Sequence, residues 1–123
     1  MIRLIAIAAL PLLLATAAQA GEADGIDCKN AVAQQEMNIC ADKDFQAADG
    51  QLNAVYKKTM ADLDDHSRDL LRAAQREWVK FRDAECTYLS AQNEGGSIYP
   101  MVYSGCLTTL TRERIKQLKA GQS

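Results

Sequence analysis

The chain reads as an all-α domain: a small antiparallel helical bundle of two long helices, a third shorter helix and a short N-terminal helix, held by two disulfides. Three observations predict it. Apolar residues recur at steps of three and four over two long stretches, the spacing of one helical stripe. Val and Ile are scarce and nowhere alternate with polar residues, so no strand is expected. Four cysteines, Cys28, Cys40, Cys86 and Cys106, follow a leader-like start, and an even number in an exported chain reads as a disulfide framework.

Residues 1–20 are expected to be a cleaved signal peptide. Arg3 supplies a short basic start, Leu4 to Leu14 is apolar except for Pro11, and Ala18-Gln19-Ala20 is a small-x-small cleavage site. The apolar run is too short and too rich in Ala for a membrane anchor. Gly21 stands where a lipoprotein carries a cysteine. The expectation is an exported, unanchored protein, periplasmic or secreted. Residues 21–26 read as a polar linker, 27–119 as the helical domain and 120–123 as a tail. One domain of this size buries a modest core, so cross-links are a useful supplement.

The whole chain carries a net charge of −2, and loss of the leader removes Arg3 and no acid. A mildly acidic surface argues against nucleic acid and anionic membranes as partners and suits a cationic protein.

The cysteines are expected to be bonded rather than to hold zinc. No Cys-x-x-Cys pair occurs, and the one histidine, His66, is far from every cysteine in sequence. The local pairing, Cys28–Cys40 with Cys86–Cys106, closes short loops and pins segments that need pinning. No metal or cofactor is expected.

Asp27 to Gln35 has room for one or two helical turns, fastened by Cys28 to the next element. The first long helix is expected over about Glu36 to Leu63, with Met37, Ala41, Phe45, Ala48, Leu52, Val55, Tyr56 and Leu63 on one face. Asp64-Asp65-His66-Ser67 breaks the pattern with good N-caps and poor helix interiors, so a turn and a new helix start belong there. The second long helix is expected over about Arg68 to Gln92, burying Leu71, Ala74, Trp78, Phe81 and Leu89, with Leu70 and Tyr88 at one edge. Asn93-Glu94-Gly95-Gly96 ends it, because Gly adopts the left-handed C-cap conformation freely. Ser97 is placed to cap a third helix, with Pro100 in its first turn. That helix carries Tyr103, Cys106, Leu107, Leu110 and Leu118 to near Lys119, and its Thr108, Thr109 and Thr111 are poor helix formers.

Chemistry-bearing residues are few. On a helical wheel Gln75, Arg82 and Glu85 fall inside the apolar arc around Trp78, and Asn38 and Asp49 sit at the edge of the first helix's arc. Buried charges need partners. Arg82 and Glu85 are one turn apart and positioned to pair, with Asp49 and Asn38 as further candidates. Two readings follow: a carboxylate–arginine site, or a polar network that fixes helix register. No nucleophile joins the group, which favours the second. Asp64 and Asp65 are adjacent and point apart, so they form no acid/base pair. His66 reads as a solvated or capping residue. No Gly-x-Ser-x-Gly and no phosphate loop is present. No catalytic residue is expected.

The loop from Asn93 to Met101 is different. Gly95, Gly96, Ser97, Ile98 and Tyr99 lie between the second helix and a rigid Pro100. If Cys86 is bonded to Cys106, the loop is tied at its base, and a pre-ordered loop binds at lower entropic cost. Either Ile98 and Tyr99 fold back to cap the bundle, or they stand out for a partner.

Several motifs together resemble the LprI-type lysozyme inhibitor N-terminal domain family. They are Glu36-Met37-Asn38-x-Cys40-Ala41, Ala48-Asp49-x-x-Leu52-Asn53-x-x-Tyr56 and Ala74-Gln75-Arg76-x-Trp78-x-x-Phe81-Arg82-Asp83-Ala84-x-Cys86. Gly95-Gly96-Ser97-Ile98, Cys106 and Leu110-Thr111-x-x-Arg114 complete the set. The resemblance implies an exported, disulfide-bonded helical domain without catalysis, and a protein partner, a cationic lysozyme. The family takes its name from a lipoprotein described as a lysozyme inhibitor, and this chain lacks that member's lipid-bearing cysteine. Lysozyme inhibitors of unrelated fold place a loop with Ser and Tyr in the enzyme's cleft. By analogy the expected contacts are Gly95, Gly96, Ser97, Ile98 and Tyr99.

Overall fold

A computed structural model describes residues 25–121. The expected signal peptide, most of the linker and the last two tail residues lie outside the described residues. Three α-helices follow one another: α1 (Gln34–Ala61), α2 (Asp65–Ser90) and α3 (Tyr99–Ala120). A 3-10 turn, Ala91–Asn93, extends α2. No strand occurs among the described residues.

The two disulfides are Cys28–Cys40 and Cys86–Cys106, the local pairing. The short N-terminal helix expected over Asp27 to Gln35 is not formed. Asp27 instead builds a turn: its carboxylate accepts from the Lys29 N–H at 3.1 Å and the Asn30 amide at 2.6 Å. Such side-chain bonds offer the backbone an alternative to a helix. The Asn30 amide, then the Lys29 N–H, hold the Asp27 carboxyl below its ordinary value.

The break between α1 and α2 falls where the acidic turn predicts. Asp64 is the N-cap of α2, its carboxylate accepting from the Ser67 N–H at 2.8 Å and the Ser67 hydroxyl at 3.2 Å. Those bonds hold the Asp64 carboxyl below its ordinary value, the backbone N–H contributing most. Arg68 donates from Nε to the Met60 carbonyl at 2.8 Å, which satisfies an end group of α1 from the start of α2.

Cross-helix contacts fix the topology. Gln34 meets Met101 near the starts of α1 and α3, and Leu52 clusters with Ile115 and Leu118 further along both, so the two helices run parallel. Arg82 meets both Asp49 and Thr111, and Gln75 meets Arg114, so α2 runs antiparallel to both. The closest packing is between α1 and α3, with α2 resting mainly on α3. The backbones of α1 and α2 stay apart although they are joined by a tight turn.

The hydrophobic cluster is Leu52, Ile115 and Leu118, with Val55, Tyr56, Leu71 and Trp78 packed against it. Its seven side chains lie toward the α1–α2 turn. Further along, the interior changes character. The buried seam of α3 is Ser104, Leu107, Thr108, Thr111, Ile115 and Leu118, so half of it is hydroxyl. Ser90 and Cys86 face it from α2, both 0% exposed. Two of the buried hydroxyls bond their own helices: Ser90 Oγ donates to the Cys86 carbonyl at 2.6 Å and Thr108 Oγ1 to the Ser104 carbonyl at 3.0 Å. This satisfies the hydroxyl without a partner helix and keeps the side chains small. Of the threonines read as poor helix formers, Thr108 and Thr111 are thus interior residues, and Thr109 is exposed.

The apolar arc expected on α2 is rotated. Leu71 and Trp78 face inward, but Phe81 is 55% exposed, and Leu89, Leu70, Ala74 and Tyr88 are exposed as well. The inward line is Leu71, Gln75, Trp78, Arg82, Cys86 and Ser90. Its centre lies about 60° from Trp78 on the side away from Phe81, at 100° per residue. The Cys86–Cys106 bond fixes that rotation, because Cys86 must face α3.

Candidate functional site

The residues expected to form one polar network are divided between three places. Arg82 is the centre of the first. It is buried, and its Nε donates to Asp83 at 2.9 Å while Nη1 donates to Asp49 at 3.4 Å and to Thr111 at 3.5 Å. Its guanidinium lies 5.1 Å from the Phe45 ring centroid and 5.3 Å from that of Trp78, within cation–π range. Glu85, expected as its partner one turn away, takes no bond from Arg82 among the described residues. It stands half-buried at the edge of the inward arc. Asp83, adjacent in sequence, takes that place, a pairing that helical spacing does not suggest.

Gln75 belongs to a second group. Its Oε1 accepts from Arg114 Nε at 3.0 Å, and the Arg114 guanidinium is 5.8 Å from the Trp78 ring. Burial lowers the Arg114 guanidinium below its ordinary value. Arg114 appeared in the sequence only within a motif, and no spacing argument tied it to Gln75.

Asn38 belongs to a third group, at the loop. Its amide nitrogen donates to the Ser97 carbonyl at 2.8 Å, and its Oδ1 accepts from Gln34 at 2.9 Å. The first helix therefore holds the loop from the side. The Cys86–Cys106 bond closes its base. Gly95 takes φ +79°, the left-handed region that favours glycine. A Cβ on Gly96 would lie 3.2 Å from the Asn93 carbonyl oxygen, so both glycines have a local reason.

Ser97 does not cap α3. Ile98 holds the N-cap position and makes no side-chain cap bond, which leaves Ser97 one residue too early. Its side chain is exposed. Ile98 is 38% exposed. Tyr99 is half-buried, its ring nearly parallel to that of Tyr103 with centroids 5.9 Å apart. The two alternatives for the loop therefore divide by residue: Tyr99 leans on the bundle, and Ser97 and Ile98 face outward. The same end of the bundle exposes Tyr88 at 73%, Leu89 at 53% and Val32 at 85%. Sequence reasoning placed Tyr88 and Leu89 in or beside the core. Among the described residues no group of three or more His, Cys, Asp or Glu is placed to hold a metal ion, and no helix is long and apolar enough to cross a membrane.

The described residues thus form a small cross-linked helical scaffold with a pinned loop beside exposed apolar side chains. Comparison with known proteins gives the family: residues 27–118 match lysozyme inhibitor LprI, and the chain belongs to that family. It is also similar to a protein of Rhizobium meliloti (strain 1021) described as uncharacterized, with 39% identity over 125 aligned positions covering 90% of each chain. No solved structure matches.

Proposed function

We propose that this protein is an exported, non-catalytic inhibitor that binds a lysozyme-type muramidase with its loop end and obstructs the cleft. The observation that carries the reading is the loop itself. Residues Gly95, Gly96, Ser97 and Ile98 are tied at the base by a disulfide, held by Asn38, and turn a hydroxyl and an aliphatic side chain outward. Pre-ordering lowers the entropic cost of binding. Glycosidases of this type work with two carboxylates flanking the scissile bond. A short hydroxyl donor such as Ser97 is suited to meet them. Tyr88, Leu89 and Val32 add apolar area around the loop, and the acidic chain suits a cationic enzyme. The leader-like residues 1–20 and the two disulfides support export to an oxidising compartment.

The test is muramidase activity on cell walls with purified protein added, against chicken-type, goose-type and invertebrate-type lysozymes. The reading expects inhibition of at least one class at micromolar concentration. Ser97→Ala, Ile98→Ala and Tyr99→Ala should weaken inhibition without unfolding the domain. Inhibition that survives all three would remove the loop from the interface. No inhibition of any class, with a different protein retained from a periplasmic extract, would make this chain an envelope interaction module instead.

A further inference from the structure

We propose that the trough between α1 and α2 is a second binding site, for a carboxylate-bearing amino sugar. It stands apart from the loop end and does not rest on the cleft-blocking reading. The trough exists because α3 packs closely on α1 and supports α2 from one side, leaving the backbones of α1 and α2 separated on the other. The space measures about 420 Å³, within the range of small-ligand pockets. Leu52 and Val79 give it apolar surface, and Arg82 and Asp49 line it as well, the aspartate's charge being met by Arg82 at 3.4 Å and Arg82 also holding Asp83.

The remaining lining is planar and polar: Asn53 and Tyr56 from α1, Arg72, Gln75 and Arg76 from α2. Arg72 and Arg76 are one turn apart on the same side of α2. Like charges at that spacing weaken a helix, so packing alone does not ask for the pair. Arg72 is partly neutralised by Asp69 at 2.7 Å. Arg76 is exposed and makes no ion pair or hydrogen bond among the described residues. A guanidinium with its full fork of donors selects a planar carboxylate. Gln75 uses its carbonyl oxygen on Arg114, which leaves its amide N–H groups to donate to a ligand. Asn53 adds an amide of its own. Tyr56, half-buried, supplies an aromatic body and a hydroxyl at its tip. One carboxylate, amide and hydroxyl groups, and a ring-sized body satisfy the whole set.

The experiment is an NMR titration of the purified protein with N-acetylmuramic acid, with N-acetylglucosamine and free glutamate as comparisons. The first carries both the sugar and the carboxylate, and each comparison lacks one of them. The expected result is saturable shifts at Asn53, Gln75 and Arg76 with N-acetylmuramic acid in the millimolar range. Both comparisons should bind more weakly. Arg76→Gln should weaken binding by about tenfold or more, the worth of a charge-assisted hydrogen bond, with the melting temperature unchanged because the side chain is exposed. Asn53→Ala, also at an exposed position, should weaken it less. Absence of saturable shifts at those residues would overturn the proposal. So would equal binding of either comparison ligand, or undiminished binding by Arg76→Gln.

Discussion

Toward the α1–α2 turn, the bundle is closed by Leu52, Ile115 and Leu118 with Trp78 and Leu71 packed on them. Toward the loop, the interior holds Ser90, Ser104 and Thr108 around the Cys86–Cys106 bond, and large apolar side chains such as Tyr88 and Leu89 are outside. The first end is held by buried apolar area, at about 25 cal/mol per Å². The second buries little such area and has covalent bonds in its place, each worth roughly 2–4 kcal/mol. Both disulfides are at this end. The difference teaches why a small protein can spare hydrophobic surface for a partner: a cross-linked end does not need its large side chains for its own stability. Arg82 and Thr111 sit where the two regimes meet.

The sharpest way to break the comparison is at the apolar end. Leu52→Ala should cost about 2–5 kcal/mol, read by denaturant unfolding with Trp78 fluorescence, because the side chain is 2% exposed and leaves a cavity. A cost as small as that of an exposed position would mean that the cluster is not the main source of stability. Replacing Cys86 and Cys106 together by Ala should cost roughly 2–4 kcal/mol. The loss should appear first as faster amide exchange in the loop and the first turns of α3. Uniform loosening of all three helices would refute the division into two ends.

At the boundary, Arg82→Met should cost about 1–2 kcal/mol and leave the fold intact. The side chains of Asp49 and Asp83 are 40% and 49% exposed, so water solvates them once the cation is gone. Unfolding of this variant would show that Arg82 is needed for the fold itself. Asn38→Ala should cost about 0.5–1.5 kcal/mol, the net worth of one hydrogen bond. Its effect on muramidase inhibition should be larger than its effect on stability, since it frees the loop from α1. Equal effects would count against loop pinning.

The smallest effect is expected at the Asp64 cap. Its carboxyl lies below the ordinary aspartate value of 3.8 in the folded protein, so its stabilisation is present above that value and is lost as pH falls through the folded one. The melting temperature of Asp64→Ala should lie below that of the parent at neutral pH. The gap should close as pH falls below 3.8. A gap that persists in acid would mean that the cap acts through something other than its charge.

Most of the helical architecture was legible because its signals are local. The Asp64 cap, the Gly95 terminator, Pro100 in a first turn and the two short disulfide loops each depend on a few neighbouring residues. The N-terminal segment reads as helical in the sequence but forms a turn, because the Asp27 carboxylate accepts from the Lys29 N–H and from the Asn30 side-chain amide. The loop was legible as a feature, but not which of its residues face outward. Arg82 was legible as a buried cation needing a partner, whereas its pairing with Asp83 and the tie from Gln75 to Arg114 were not.

By itself, then, the sequence determined where the long helices break and made the local cysteine pairing the preferred one, since spacing and capping act within a few residues. Only the tertiary structure decided which arc of α2 faces in. A wheel locates a stripe, but rotation about the helix axis is set by what the helix packs against, here through Cys86. It also decided that α3 buries threonines. A Thr hydroxyl can bond the carbonyl one turn back, so burial and exposure differ little in cost, and contact with a neighbouring helix chooses between them. The trough between α1 and α2 has the same origin: it follows from the close pairing of α1 with α3, which no stretch of sequence states.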